Sequence, residues 1–285
     1  MADMGRALAG RYRRKRRIEA GGIADGWQAC DLATGRPVAV WLLRAGCADG
    51  AARFLAAARR APQVHHPGIA RVKDYGQAGP EGAPFMVTEP VGAASLSAVM
   101  QAGRLDPAWV LDVICQVASA VGAAHDAGLV HHDIEPGSLL LAPGGAVKLT
   151  GFGLAPGTGG PGGDLYALGL VAWACLSGAP PASGAAPAMA PGHDGRPLSP
   201  LPATVPAGIA GLAADLTATD PAARPATAAE VVARCGDLMA APMRITEPRQ
   251  SGGRHATLLL DPPTPRSTEL ARIPSSGSSD EPDRS

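Results

Sequence analysis

A chain of 285 residues with 46% hydrophobic content can build one large bilobal domain or two ordinary ones. Its 25 Lys plus Arg are matched by 25 Asp plus Glu, which excludes a protein whose whole surface serves nucleic acid or an anionic membrane. Aromatic residues make up only 4%, and 37 Gly with 28 Pro form about a quarter of the chain. Core packing must therefore lean on Ala, Val and Leu, and part of the chain is expected to be linker or tail.

The five cysteines, Cys30, Cys47, Cys115, Cys175 and Cys235, are scattered and never form a C-x-x-C pair, a pattern that fits reduced thiols. No signal-peptide pattern opens the chain and no run of about eighteen apolar residues is read in it, so a cytoplasmic location is expected. Residues 1–10 read as an N-terminal extension. The basic run from Arg11 to Arg17 reads as a solvated lead-in to the first strand, with a patch for a partner or anionic lipid as the alternative.

From Ile18 to Asp31 and from Gly35 to Leu42, short apolar runs separated by Gly-rich and Thr-Gly-Arg turns predict antiparallel strands. The Ala-rich stretch from Arg53 to Arg60 predicts a helix that stops near Pro62. Arg71 to Gly76 and Pro84 to Val91 read as two further strands, and a helical region begins at Ser95. Asp106 before Pro107 is an N-cap with proline at the first helical position. From there to His125 the apolar residues recur at helical spacing and predict a buried helix.

After that helix come Val130-His131-His132-Asp133-Ile134-Glu135-Pro136-Gly137-Ser138-Leu139-Leu140-Leu141 and, a few residues later, Lys148-Leu149-Thr150-Gly151-Phe152-Gly153. Ten residues follow before Asp164, seven of them Gly or Pro. Structure is expected to resume at Asp164 with an apolar helix reaching Ser177. Residues 182–206 read as an Ala/Pro/Gly-rich loop, and Thr227-Ala228-Ala229-Glu230 as a capping-box start for a last helix. Residues 242–285, rich in Pro, Ser and Gly with six Arg against six acidic residues, read as a disordered tail.

These stretches resemble the bacterial Ser/Thr protein kinases related to the eukaryotic ones, whose catalytic loop reads H-R-D-x-K-P-x-N and whose metal-binding turn reads D-F-G. The resemblance covers about residues 11–240. It implies an α+β, bilobal protein-kinase-like fold, with a small antiparallel β-rich N-lobe over 11–91 and a larger, mainly helical C-lobe over 92–241 that has a truncated activation segment. His131, Asp133 and Pro136 match the loop, Phe152 matches the turn, and Asp164 and Arg224 match two fold anchors of the large lobe. His131 with Phe152 would form part of the hydrophobic spine. Asp164 would hold the catalytic-loop backbone.

Much of the chemistry the resemblance calls for is replaced. The catalytic-loop Lys is Glu135, the metal-binding Asn is Ser138 and the metal-binding Asp is Gly151. In the glycine loop only Gly21 and Gly22 remain, with Glu19 and Ala24 at the first and third glycine positions. Trp41, two residues after Ala39, stands for the Lys that pairs the phosphates, and Ala57 stands for the helix Glu that would hold that Lys. Gly26 replaces an apolar residue expected against a purine ring. Thr88 is the residue gating the back pocket, and Glu89, Val91 and Leu140 complete the degenerate nucleotide positions. No A-P-E motif follows Phe152, so the partner that Arg224 would have is missing or replaced.

The residues therefore predict a pseudokinase. It is expected to act as a scaffold or regulatory binding module in Ser/Thr phosphosignalling, with Asp133 as a vestigial proton-acceptor position and no cofactor. The alternative is a weak, atypical ATP-dependent kinase that uses Asp133, with ATP and magnesium. A metal site from His125, His131 and His132 is a third reading, disfavoured because adjacent histidines point apart. Expected partners are proteins, among them an active Ser/Thr kinase or a phosphothreonine-binding module that reads tail threonines Thr246, Thr257, Thr264 and Thr268. Neither nucleic acid nor a membrane span is expected.

Overall fold

Alternation of buried and exposed residues decides the first layer of the fold. The computed structural model of the protein describes residues 7–21, 24–44, 50–78, 82–90, 94–152, 160–178 and 198–241. Strands β1 (Tyr12–Gly21), β2 (Ala24–Asp31), β3 (Pro37–Leu43), β4 (Val72–Ala78) and β5 (Ala83–Thr88) form a five-stranded antiparallel sheet in the order β1-β2-β3-β5-β4. On β3 successive side chains point to opposite faces, and both faces are covered. Ala39, Trp41 and Leu43 enter one apolar cluster with Phe54 and Ala58 of helix α1 (Ala51–Arg60), while Val38 and Val40 enter another with Tyr12, Phe85 and Val87. Tyr12 meets Phe85 edge to face at 6.0 Å and donates to Asp74, which draws β1 toward the opposite edge of the sheet.

The basic run is thus part of a strand and not a lead-in to one, a correction to the sequence reading. Tyr12 faces the core, while Arg11, Arg13, Lys15, Arg16 and Arg17 remain exposed beside it. Strand propensity was masked there by charge, because only alternate side chains of an edge strand need be apolar.

Helices α2 (Leu96–Met100), α3 (Pro107–Asp126), α4 (Gly160–Ser177), α5 (Ala207–Leu216) and α6 (Ala228–Ala240) build the second lobe around a small sheet of β6 (Ala94–Ser95), β7 (Leu139–Leu141) and β8 (Val147–Leu149). Asp106 caps α3 by accepting from Ala108 N–H at 2.9 Å and Trp109 N–H at 3.0 Å. Thr227 caps α6 through Glu230 N–H at 3.2 Å, and Glu230 accepts in return from Ala226 N–H. Val110, Val113, Ile114, Val117, Val121 and Ala124 of α3 are all buried, and each such aliphatic residue contributes about 1.5–3 kcal/mol when fully removed from water. α4 and α5 approach so closely that a β-carbon on Gly169 would stand 2.5 Å from the β-carbon of Leu216.

Two further sequence expectations need correction. α3 is twenty residues long and by length and mean hydropathy could cross a membrane, contrary to the reading that no such run exists; here it is a core helix against α4 and α6. α4 begins at Gly160 rather than Asp164. Pro161, with its fixed φ and missing N–H, suits the first turn of a helix, so the Gly/Pro content that suggested a loop does not prevent that turn. The loop read over 182–206 lies outside the described residues as far as 197, and the tail over 242–285 lies wholly outside them. Cys30, Cys115, Cys175 and Cys235 are free thiols, and Cys47 is not described.

Candidate functional site

The catalytic-loop stretch Leu129–Ser138 lies between α3 and β7, and its shape is set by one carboxylate. Asp164, 1% exposed on α4, accepts from the backbone N–H of His131 and of His132, both at 2.8 Å, and from His125 Nε2 at 2.8 Å. Burial alone would raise its pKa. The His125 hydrogen bond and the two backbone donors outweigh burial and hold the carboxyl below its ordinary value. With both oxygens engaged, the loop can hold His132 at φ +67°, a left-handed conformation that few non-glycine residues adopt.

His131 is completely enclosed, and burial pushes its pKa down, so the ring is neutral. The N–H of Asp133 donates to Nδ1 at 3.2 Å, which leaves the proton on Nε2 to donate to Thr150 O at 2.8 Å. Its ring meets Phe152 edge to face at 4.6 Å. Two histidines of the trio read from the sequence are committed elsewhere: both ring nitrogens of His131 are used, and His125 binds Asp164. Among the described residues no group of three His, Cys, Asp or Glu could hold a metal ion.

Asp133 is 9% exposed, and no described residue donates to its carboxylate. Burial pushes its pKa up to about 6, so its charge is uncompensated. Two residues further on, Glu135 is exposed, and Ser138 folds its hydroxyl back onto the Glu135 backbone. The Ser138 hydroxyl donates to Glu135 O at 2.8 Å and accepts from Glu135 N–H at 3.1 Å, closing a tight turn on itself. Gly151 adopts φ +90° and has no side chain to offer.

Above this loop the nucleotide-side positions are apolar and closed. Trp41 is 5% exposed and shares a cluster with Ala24, Ala39 and, from β7, Leu140; Ala39 is 1% and Leu140 0% exposed. Its indole lies against Gly26 so closely that a β-carbon there would stand 2.6 Å from Cζ3. The Trp41 indole N–H donates to Thr88 Oγ1 at 3.3 Å, and that hydroxyl donates to the backbone carbonyl of Glu89 at 3.1 Å. Ala57 is likewise buried, so the two positions expected to carry an ion pair are a large and a small apolar residue. Gly21 pairs with Ala24 as β1 turns into β2; Gly22 and Val91 lie outside the described residues.

Several contacts had no clear sequence signal. Lys148 of β8 reaches Glu89 at 2.5 Å and ties the second lobe to the residue just past β5. Arg224 finds a substitute for its expected glutamate: Nε donates to Ala218 O at 2.7 Å, an Nη to Thr219 O at 3.3 Å, and the guanidinium stacks 4.4 Å from the Tyr166 ring centroid. The role of His125 at Asp164 is also new, and its spacing at the end of α3, one loop before His131, is the only hint the sequence carries.

A five-stranded antiparallel lobe on α1, a helical lobe, and a loop of His131, Asp133 and Phe152 fastened by a buried helix Asp define a protein-kinase fold. Residues 12–161 match the protein kinase domain family, more than half of the chain, and the chain belongs to that family. It is 35% identical over 256 residues to the serine/threonine-protein kinase PknA of Mycobacterium tuberculosis, covering 78% of this chain and 59% of that one. A probable serine/threonine-protein kinase of Streptomyces coelicolor is 36% identical over 163 residues, covering 55% of this chain and 24% of that one. The chain spans about three-fifths of the length of PknA. Among solved structures, the kinase domain of Mycobacterium tuberculosis PknI, crystallised as a double mutant, matches with a TM-score of 0.68 over 82% of this chain and 98% of that one, at 23% identity.

Proposed function

We propose that the chain is a catalytically silent kinase-fold module, working by binding other proteins in bacterial Ser/Thr phosphosignalling. The observation that carries this reading is Trp41. Phosphoryl transfer depends on held phosphates and metal ions, with little covalent work for the protein. At the position expected to supply a phosphate-pairing ammonium stands an indole that fills the space under Gly26 and hydrogen-bonds Thr88.

The residues present do not fit a magnesium nucleotide. Ala39 and Leu140, two of the degenerate nucleotide positions, are already covered by protein. Ser138 spends its hydroxyl on the Glu135 backbone, and Gly151 has no carboxylate. Glu135 adds a negative charge where the family has a lysine, which opposes an incoming phosphate. Asp133 retains the position of a proton acceptor but has nothing positioned to accept from. A cytoplasmic setting and protein partners, including an active Ser/Thr kinase acting on the tail threonines, complete the reading.

A thermal-shift titration of the full chain with Mg-ATP tests it. Flat melting temperatures up to millimolar nucleotide are expected. A saturable rise, about 2.7 kcal/mol of stabilisation at a hundredfold excess over Kd, would establish the ATP-dependent alternative instead.

A further inference from the structure

The basic run, which the proposed function leaves unused, lies on the edge strand β1. Seven cations gather here, Arg11, Arg13, Arg14, Lys15, Arg16 and Arg17 with Arg44 beside them. Their carboxylate partners among the described contacts are Asp25, Asp31 and Asp74. Arg17 and Arg44 converge on the same oxygen of Asp25, at 2.5 and 2.8 Å. Arg16 reaches only the neutral Gln28, at 3.4 Å, and Arg13 and Lys15 are exposed with no ion-pair partner among the described residues. In a chain of zero net charge this is a concentrated positive strip.

The strip is also organised. The guanidinium groups of Arg14 and Arg17 lie 5.3 and 5.9 Å from the Trp27 ring centroid, which restrains two long side chains that would otherwise be mobile. Beneath them the Trp27 indole N–H is buried without an acceptor, an unpaired donor at the centre of the arginine pair.

We infer that β1 is a docking strip for an extended, phosphorylated peptide segment of a partner protein. Guanidinium forks match the oxygens of a phosphate monoester, and an edge strand offers backbone groups to an extended chain. From Arg13 to Arg17 the strip spans about 15 Å, the length of a peptide of about five residues, which is too short for a duplex groove. Trp27 is covered by arginines and offers no open face for base stacking. Arg14 and Arg17 project on the Trp27 face of the sheet, and Arg13 and Arg16 on the opposite face with Gln28 and Cys30, so a peptide along the strand edge meets cations on both sides.

The test is fluorescence anisotropy with the full chain and a fluorescein-labelled heptapeptide of alternating valine and alanine around a central phosphothreonine. Binding at least about tenfold tighter than to the unphosphorylated peptide is expected, weakening as salt rises from about 50 to about 200 mM. Replacing Arg13, Lys15 and Arg16 together by Gln should lower affinity about tenfold or more while leaving the melting temperature unchanged, since all three are exposed. Trp27→Phe keeps the ring and removes the donor, and is expected to cost about threefold. Equal binding of both peptides, undiminished binding by the triple variant, or binding only to phosphatidylserine vesicles would overturn the inference; the last would make the strip a membrane surface.

Discussion

The two walls of the cleft have been treated in opposite ways. On the wall built from β7, β8 and the loop before them, His131, Asp133, Phe152 and Asp164 stand at the expected positions, and the loop is held by three donors on the single carboxylate of Asp164. On the wall built from β2, β3 and α1, the positions expected to be ionic hold Trp41 and Ala57, both buried, and Trp41 shares an apolar cluster with Leu140 of the other lobe. The difference separates residues that hold a shape from residues that hold a ligand. A loop whose backbone N–H groups are buried cannot lose its carboxylate without leaving donors unpaired. A ligand site can lose its charges and gain packing instead, because replacing a buried ion pair by apolar groups is often neutral or stabilising.

If that contrast is right, the largest effect should come from the retained wall. Asp164→Ala leaves the N–H groups of His131 and His132 buried without acceptors and frees His125. A loss of about 3–5 kcal/mol is expected from urea unfolding. A loss below about 1 kcal/mol would mean that the loop is not held in this way.

The filled wall can be probed from Gly26. Gly26→Val restores an apolar residue of the expected kind but places it against the indole, and should cost about 1–3 kcal/mol by overpacking. Combining it with Trp41→Ala makes room, so the double variant should be more stable than the sum of the single effects predicts by about 1 kcal/mol or more. Strict additivity would show that the two side chains do not compete for one space.

Asp133 belongs to the retained wall yet its carboxylate has no donor among the described residues, and the smallest effect tests that exception. Its folded pKa of about 6 lies above the ordinary carboxyl value, so the folded state binds this proton more tightly than the unfolded one. The resulting penalty is absent below about pH 4, grows as pH rises toward 6, and is complete above that. Asp133→Asn should therefore be more stable than the parent by about 1–2 kcal/mol at pH 7.5, with the gain shrinking toward zero at pH 4. Paired thermal melts at the two pH values check it. A gain independent of pH would assign the effect to something other than the charge.

Much of the architecture was legible because it is written in local signals. Asp106-Pro107 and Thr227 with Glu230 mark helix starts by capping chemistry, and the apolar period from Val110 to Ala124 marks a core helix. The basic strand β1 was not legible, since six cations in seven residues hide the single buried Tyr12 on which the strand turns. At the site, the losses at Trp41, Ser138 and Gly151 could be read from residue type alone. What fills the gap could not: the contact of Trp41 with Gly26, the hydroxyl of Ser138 folded onto Glu135, and the settlement of Arg224 on carbonyls and Tyr166 are all tertiary. They join residues 15 to 58 positions apart or depend on a turn geometry that no periodicity encodes.

The stitching between the lobes has a thermodynamic consequence. Leu149 donates to Gly68 O at 2.8 Å and accepts from Ala70 N–H at 3.0 Å, Ile69 bridges Leu149, and Lys148 clasps Glu89. Leu140 of the helical lobe sits in the same apolar cluster as Trp41 and Met86 of the sheet. Neither lobe can melt without tearing backbone bonds and apolar contacts that belong to the other, so the pair should unfold in one cooperative calorimetric transition. Their boundary is a seam, closed by backbone bonds as well as by side chains.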